Sequence, residues 1–391
     1  MEIIVIGTGM YVLGSNKNEY GTILPAIIEF KRQYPELKRI KFVGTNSIRT
    51  ENAKKRAKQI IKMSGISLKV DFYPKNGKNN NLAYREVLSK TSNTLCAIVA
   101  VPDHLHFKIV KDCLNSGLHT LVVKPLTPTV KEATELTHLA KKNGLYGVVE
   151  FHKRFDKQNI MLKNIFNSGK LGQPLYSLVE YSQKKIIPTY IFKSWVNKTS
   201  ILQYLGIHYI DLMHYITDAM PDKVMAVGQK LWLKKLDIDV FDSIQCMIKW
   251  KLRGGISFNQ TLLVNWIDPN TNSSMSDQKI KFIGTKGRFE GDQKNRGIRI
   301  VTDDKGIEEP NPDFCYPYES NNNLIWRGYG IESVSTFLQD VVDIKNNKTS
   351  IKNLEKIRPT FKSSILSTAV IEYAHQSLSN GSVWKKIKLN K

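Results

Sequence analysis

The sequence predicts an α/β protein. A doubly wound parallel sheet comes first, followed by an α+β domain built on a large, mainly antiparallel, open-faced sheet. Three observations predict it. Short apolar runs without alternation recur through the first 150 residues, and amphipathic stretches separate them. That is the pattern of parallel strands covered on both faces by crossover helices. Beyond residue 170 strands follow one another and alternate apolar with polar, as in an antiparallel sheet with one wet face. A length of 391 residues suits two domains, 1–150 and 151–391, with the boundary near Glu150.

In order, Glu2-Ile3-Ile4-Val5-Ile6 is a buried strand, and a glycine loop follows at once. Residues 21–32 (GTILPAIIEFKR) read as a helix, 40–43 as a second strand and 51–63 as a polar helix. Residues 95–101 (LCAIVAV) are a buried strand leading into a helix over 106–116. A strand at 119–123, a helix at 130–143 and a strand at 146–151 complete a Rossmann-like domain. A helix over 156–167 precedes strand-like pieces at 175–181, 223–231 and 280–283. Within 241–250, Ile244, Cys246, Ile248 and Trp250 share one face, while Ser243, Gln245 and Lys249 share the other. Arg253-Gly254-Gly255 turns that strand back into 256–262 as a hairpin. Helices over 331–344 and 359–378 close the chain, and the low-complexity patch 75–81 (KNGKNNN) reads as a loop.

Hydrophobic residues at 41% and charged residues at 24% exclude a disordered, collagenous or coiled-coil chain. Cys96, Cys113, Cys246 and Cys315 are far apart and form no C-x-x-C pair. This argues against a disulfide scaffold or a structural zinc site and fits a reducing compartment. No apolar run is long enough to span a bilayer, and the N-terminus lacks a signal-peptide pattern, so a soluble cytoplasmic protein is expected. The net charge of +23 is mostly lysine spread from Lys31 to Lys391. A solvated lysine surface accounts for it first, a phosphorylated ligand second and nucleic acid last. Neither a nucleic-acid nor a membrane partner is expected, and no metal-ligand cluster stands out.

The first strand runs into Gly7-Thr8-Gly9-Met10. In dinucleotide-binding loops the first glycine makes the turn and the second lets backbone N–H groups reach the pyrophosphate. Val12 stands where a third glycine is usual, and polar residues 15–20 read as an insertion, with the helix restarting at Gly21. After the second strand, Gly44-Thr45-Asn46-Ser47-Ile48-Arg49 carries no acid to take the ribose hydroxyls. Asn46, Ser47 and Arg49 suit a 2′-phosphate, which favours NADP(H) over NAD(H).

Ala100-Val101-Pro102-Asp103-His104-Leu105-His106 and Val123-Lys124-Pro125 are followed by Phe151-His152-Lys153-Arg154-Phe155, Gly206-Ile207-His208-Tyr209-Ile210-Asp211 and Gly284-Thr285-Lys286-Gly287. This ordered set resembles the glucose–fructose oxidoreductase / inositol dehydrogenase / MocA (Gfo/Idh/MocA) family over nearly the whole chain. The resemblance implies a nicotinamide-dependent oxidoreductase acting on a sugar, polyol or related ring, assembled as a dimer or tetramer. Lys124, from the family's E-K-P motif, would touch the reacting oxygen, and His208 would be the acid/base. Val101, Pro102 and Pro125 would line the cofactor, with a cis peptide before Pro125, and His104 and His106 would be structural or cofactor-contacting rather than catalytic. Lys153, Arg154, Trp195 and Asp211 are the expected substrate contacts, together with Lys124.

The chemistry suits those residue types. A lysine ammonium stabilises the oxygen whose charge changes during hydride transfer, and a histidine exchanges its proton near neutral pH. His214, six residues beyond His208, points about 240° away on a helix and should not share that site. Three departures stand out: Val123 replaces the motif's Glu, Tyr204 replaces an expected Asp, and Val196 follows Trp195 where Arg is common. On an α-helix Tyr204 lies one turn before His208 and either joins its chemistry or packs. Lys184, Lys185 and Lys193 are either solvated or, with Lys153 and Arg154, the lining of an anionic-substrate pocket for a sugar phosphate or nucleotide-linked sugar. The alternative function is a dinucleotide-binding protein of the same fold without turnover.

Overall fold

The computed structural model describes residues 1–15, 19–75 and 77–389. The chain forms two compact units. The first takes Met1–Thr127, Lys131–Phe155 and Asp313–Ser364, and the second takes Pro128–Val130, Asp156–Pro312 and Ile365–Lys391.

In the first unit the elements run β1 (Glu2–Ile6), α1 (Met10–Leu13), α2 (Ile23–Gln33), β2 (Arg39–Val43), α3 (Ser47–Met63) and β3 (Lys69–Tyr73). They continue with α4 (Ala83–Leu88), β4 (Thr94–Val99), α5 (His106–Asn115), β5 (His119–Val123), α6 (Val130–Lys142) and β6 (Gly147–Glu150). The six strands are parallel in the order β3-β2-β1-β4-β5-β6. That is the Rossmann order, with its switch point between β1 and β4. Ile3, Ile4, Val5 and Ile6 are all buried, as a strand covered on both faces requires.

Two elements of this half lie outside the sequence expectation, β3 and α4. β3 (KVDFY) is an edge strand with one buried residue, so it lacks the continuous apolar run that marks its neighbours. The expected loop insertion at 15–20 falls partly on residues 16–18, outside the described residues. What precedes it is one helical turn, α1, and the long helix begins at Ile23.

In the second unit the order is α7 (Lys157–Asn167), β7 (Pro174–Lys184), α8 (Ile207–Thr217), β8 (Met220–Gln229), β9 (Ser243–Lys251), β10 (Ser257–Asp268), β11 (Ser276–Gly284) and β12 (Arg288–Asp292). Two short hairpins follow, β13 (Ile300–Thr302) with β14 (Gly306–Glu308) in the second unit, and β15 (Tyr316–Ser320) with β16 (Asn323–Arg327) in the first. The chain ends with α9 (Tyr329–Lys345), α10 (Ile351–Leu354), α11 (Phe361–Ser379) and β17 (Lys385–Lys386). The large sheet is ordered β12-β11-β7-β10-β9-β8-β17, antiparallel except for β7 with β10. Ile244, Cys246, Ile248 and Trp250 of β9 are buried, the face the alternation predicts. Asp156 anchors the entry to α7: buried, it caps Gln158 N at 3.1 Å and pairs with Arg296 Nη2 at 2.6 Å.

The division differs from a single cut at 150, because residues 313–364 return to the first unit. The reason is apolar. Ile331, Val334, Phe337, Leu338 and Val341 of α9 enter the same core as Ile23, Ile27 and Phe30 of α2. Tyr146 stacks on Phe337 with centroids 5.9 Å apart, and its hydroxyl donates to Asp340 at 2.9 Å. Arg358 closes on the same carboxylate through two hydrogen bonds, at 2.8 and 3.1 Å. Among the described residues no helix is long and apolar enough to cross a membrane.

Phe337→Ala is expected to cost about 3–5 kcal/mol. Hydrogen exchange should then show lost protection in α2 and β1, distant in sequence. Protection lost only within 313–364 would contradict the shared core.

Candidate active site

Every candidate in the first unit lies just after a strand of the parallel sheet, at the carboxyl edge where such sheets bind ligands. Gly7 follows β1 with φ +119, and a Cβ there would sit 2.0 Å from the Ala100 carbonyl oxygen. Only glycine permits this approach of the β1 loop to the β4 loop. Gly9 is different: a Cβ on it meets nothing within 4 Å. It precedes α1 without a side-chain cap. With one turn of helix, an anion would be held by N–H groups more than by a helix dipole. Met10 is exposed beside it.

After β2, the Asn46 side chain accepts from Arg49 N at 2.9 Å and so caps α3. Ser47 N donates to Asn79 Oδ1 at 2.9 Å. Arg49 is exposed, and the first turn of α3 holds no acid. His106, expected against the cofactor, is fully buried, with Nδ1 2.6 Å from the Pro125 carbonyl and Nε2 2.8 Å from the Val101 carbonyl. It holds the β4 and β5 loops together, and Val101 and Pro125 are what it holds. Pro102 opens the short turn that contains His104, which is half-buried. The Lys124–Pro125 peptide is cis.

Lys124 follows β5. Burial pushes its ammonium down to about 8, against the opposing pull of Asp103 first and Glu150 second. Glu150 ends β6, directly beside Val123 in register. Its Oε2 accepts from the Tyr11 hydroxyl at 2.9 Å and lies 3.1 Å from His152 Nδ1. Burial and the neighbouring Glu150 carboxylate hold the Tyr11 phenol well above its ordinary range. Sequence reading did not single out Tyr11, Asp103 or Glu150. A carboxylate closing a continuous apolar strand was the available signal for Glu150. Lys153 and Arg154 are buried side chains of the turn after β6, which does not suit solvated lysines.

In the second unit His208 and Asp211 are both buried on α8, three residues apart and so on one face. Asp211 is mid-helix and does not cap it. Gln260, buried in β10, accepts from Trp250 Nε1 at 3.1 Å and donates to the Tyr209 carbonyl at 3.1 Å, tying α8 to the sheet. His214 Nδ1 lies 2.9 Å from the Ala219 carbonyl at the far end of the helix.

Tyr204 lies in a π-helical turn, Leu202–Gly206, which alters the phase that α-helical spacing would give it against His208. Its ring packs among Phe192, Trp195 and Trp266, at centroid distances of 4.7, 6.3 and 6.1 Å. Val196 is buried below Trp195's turn. Lys185 lies over the Trp232 ring at 4.8 Å, Lys193 is exposed, and burial lowers Lys184.

Two family models match in tandem. Residues 1–151 match the oxidoreductase family with an NAD-binding Rossmann fold, and residues 160–290 match the GFO/IDH/MocA C-terminal domain. The chain belongs to the Gfo/Idh/MocA oxidoreductase family. As a Gfo/Idh/MocA protein it is 33% identical over 121 residues to an uncharacterized oxidoreductase of Schizosaccharomyces pombe, covering 31% of this chain and 33% of that one. It is 29% identical over 120 residues to an inositol 2-dehydrogenase of Salmonella typhimurium, covering 30% and 34%. These matches span about a third of the curated relatives' length. The fold is similar to scyllo-inositol dehydrogenase from Lactobacillus casei, solved with NAD(H) and scyllo-inositol. The TM-score is 0.68 at 15% identity, covering 98% of each chain.

The Gfo/Idh/MocA residues present here fit a dinucleotide. Gly7 closes the turn against protein, whereas the space beside Gly9 is open for a pyrophosphate. The two glycines should therefore separate. Gly9→Ala is expected to leave thermal stability nearly unchanged yet weaken NAD(P)H binding about tenfold or more in a fluorescence titration, about 1.4 kcal/mol. Gly7→Ala should lower the melting temperature itself. Unchanged affinity in Gly9→Ala would refute the assignment.

Proposed function

We propose that this chain transfers a hydride between a nicotinamide cofactor, preferentially NADP(H), and a hydroxyl or keto group of a sugar, polyol or sugar derivative. The observation that carries the reading is the placement of Lys124, directly after β5 and before a cis proline at the carboxyl edge of a dinucleotide-binding sheet, with its ammonium lowered to about 8 by burial. The polyol class is supported by the family and by relatives named inositol 2-dehydrogenase. The preference for NADP(H) is supported by exposed Arg49 and by the absence of an acid in the first turn of α3. A homo-oligomeric assembly in the cytoplasm belongs to the same reading.

The bound cofactor supplies or accepts the hydride. The Lys124 ammonium donates a hydrogen bond to the oxygen of the reacting carbon and stabilises its developing negative charge. His208 gives or takes the proton of that oxygen. Asp211, one turn along the same face, and Trp195 serve the substrate, as do Lys153 and Arg154. Tyr204, if its hydroxyl reaches the substrate from the aromatic cluster, adds a second donor. Binding without turnover is the second reading, favoured by Val123 and Tyr204 standing where carboxylates are expected. Cofactor binding without oxidation or reduction across a panel of polyols and keto-sugars would select it.

The pH dependence has a definite sign. With a value of about 8, Lys124 is mostly charged at pH 7, and its contribution is lost as the pH rises through about 8. The rate of carbonyl reduction should fall across that limb. Lys124→Met is expected to lower kcat about 100-fold or more with cofactor affinity retained. A variant of undiminished kcat would sink the assignment.

A further inference from the structure

We propose that Glu150 is the positioning residue of Lys124, its carboxylate standing in, from the neighbouring strand, for the acid absent at Val123. The inference rests on the role given to Lys124 above and names what orients it.

Glu150 pairs in register with Val123 across the parallel β5–β6 ladder. Neighbouring strands lie about 4.8 Å apart, and residues paired in register project to the same face. A carboxylate on residue 150 therefore reaches the region a glutamate at 123 would occupy. Glu150 is buried, and its two oxygens differ. Oε2 is held by the Tyr11 hydroxyl at 2.9 Å and His152 Nδ1 at 3.1 Å. Oε1 is buried and takes no hydrogen bond among the described residues.

A buried carboxylate with an oxygen to satisfy needs a cation or a donor. Lys124 is the cation on which it acts. The groups facing this pair come from three places at the edge: Tyr11 from α1, Asp103 from the turn after β4, and His152 from the turn after β6. Cys315 faces Tyr11. Asp103 also acts on Lys124, and Glu150 is tied in addition to Tyr11 of α1. Through Tyr11, two residues beyond Gly9, one carboxylate links the phosphate loop to the lysine loop. The rings of Phe314 and Tyr329 pack on His152 at 5.2 and 5.7 Å and keep that imidazole in place.

Glu150→Gln is close to isosteric, and its amide oxygen still accepts from Tyr11, so the charge is removed with little change of shape. The test is the pH dependence of trace acetylation of Lys124 with acetic anhydride. It is read by peptide mass spectrometry on the cofactor-free protein, beside circular dichroism. The wild-type midpoint should lie near the value that burial and the two carboxylates set together. Glu150→Gln should lower it by about one unit or more. Val123→Glu in the Glu150→Gln background should raise it again.

An unchanged midpoint in Glu150→Gln overturns the proposal. A folded double variant without recovery overturns the substitution of one acid for the other. Turnover supplies the second readout: in Glu150→Gln kcat should fall with cofactor affinity kept, and the alkaline limb should move to lower pH. Labelling needs no substrate, so a lowered midpoint without turnover would sink the dehydrogenase reading and leave this one. An unchanged midpoint in an enzyme that Lys124→Met inactivates would do the reverse.

Discussion

A half-buried ammonium at the end of a β-strand keeps its charge more readily where carboxylates face it, and the carboxyl edge of the parallel sheet supplies two. Burial alone drives Lys124 toward the neutral amine, while Asp103 and Glu150 pull it back. The balance leaves the group near 8, so that it carries its proton at neutral pH yet is poised to release it just above. The two acids come from the strands on either side of β5, Asp103 from the turn after β4 and Glu150 from the last position of β6. Only a parallel sheet sets three consecutive strand ends side by side in this way. The fold's topology and the lysine's chemistry are thus one argument.

The phosphate loop obeys a second constraint, close backbone approach. Gly7 lies against the Ala100 carbonyl, so the β1 and β4 loops meet at the switch point. The helix that should begin there stops after one turn at Leu13, and the next helix among the described residues begins at Ile23. The interruption is pinned from α3: Arg56 donates to the Glu19 carbonyl at 2.7 Å and to the Leu13 carbonyl at 3.4 Å, and its guanidinium lies 5.2 Å from the Tyr20 ring centre. Thr22 N returns to the Tyr11 carbonyl at 2.7 Å. These bonds satisfy carbonyls that a continuous helix would have satisfied itself. They also fix Tyr11, which is how an irregular loop can present a rigid hydroxyl to Glu150.

Local sequence carried much of this. The buried strands at 2–6 and 119–123 and the alternating face of β9 are periodic signals of a kind that tertiary context rarely reverses. The ordered motifs singled out Lys124 and His208 as candidates by position. What local reading could not reach depends on partners distant along the chain. Glu150 acquires its meaning from the strand beside it. Residues 313–364 join the first unit because α9 shares a core with α2, and no composition change marks that return. For His106 the motif left a structural or a cofactor-contacting role open, and its two nitrogens lie within hydrogen-bond distance of two backbone carbonyls that only the folded loops bring together.

The histidine helix shows the same dependence from the other direction. A buried glutamine at 260 would be an expense in a β-strand core if its amide were not used at both ends. It accepts from Trp250 and donates to the carbonyl of Tyr209, the residue after His208. Gly206 completes the fit: a Cβ there would come within 2.6 Å of a Leu202 methyl and 3.1 Å of a Leu262 methyl, so the start of α8 lies close on the sheet. A π-turn, Leu202–Gly206, immediately precedes α8. Tyr204 lies within that turn, its ring among Phe192, Trp195 and Trp266, whereas His208 lies beyond it on α8. Residues four apart in sequence thus answer to different neighbours, and the exchange of an acid for an aromatic at 204 follows the packing of its own segment.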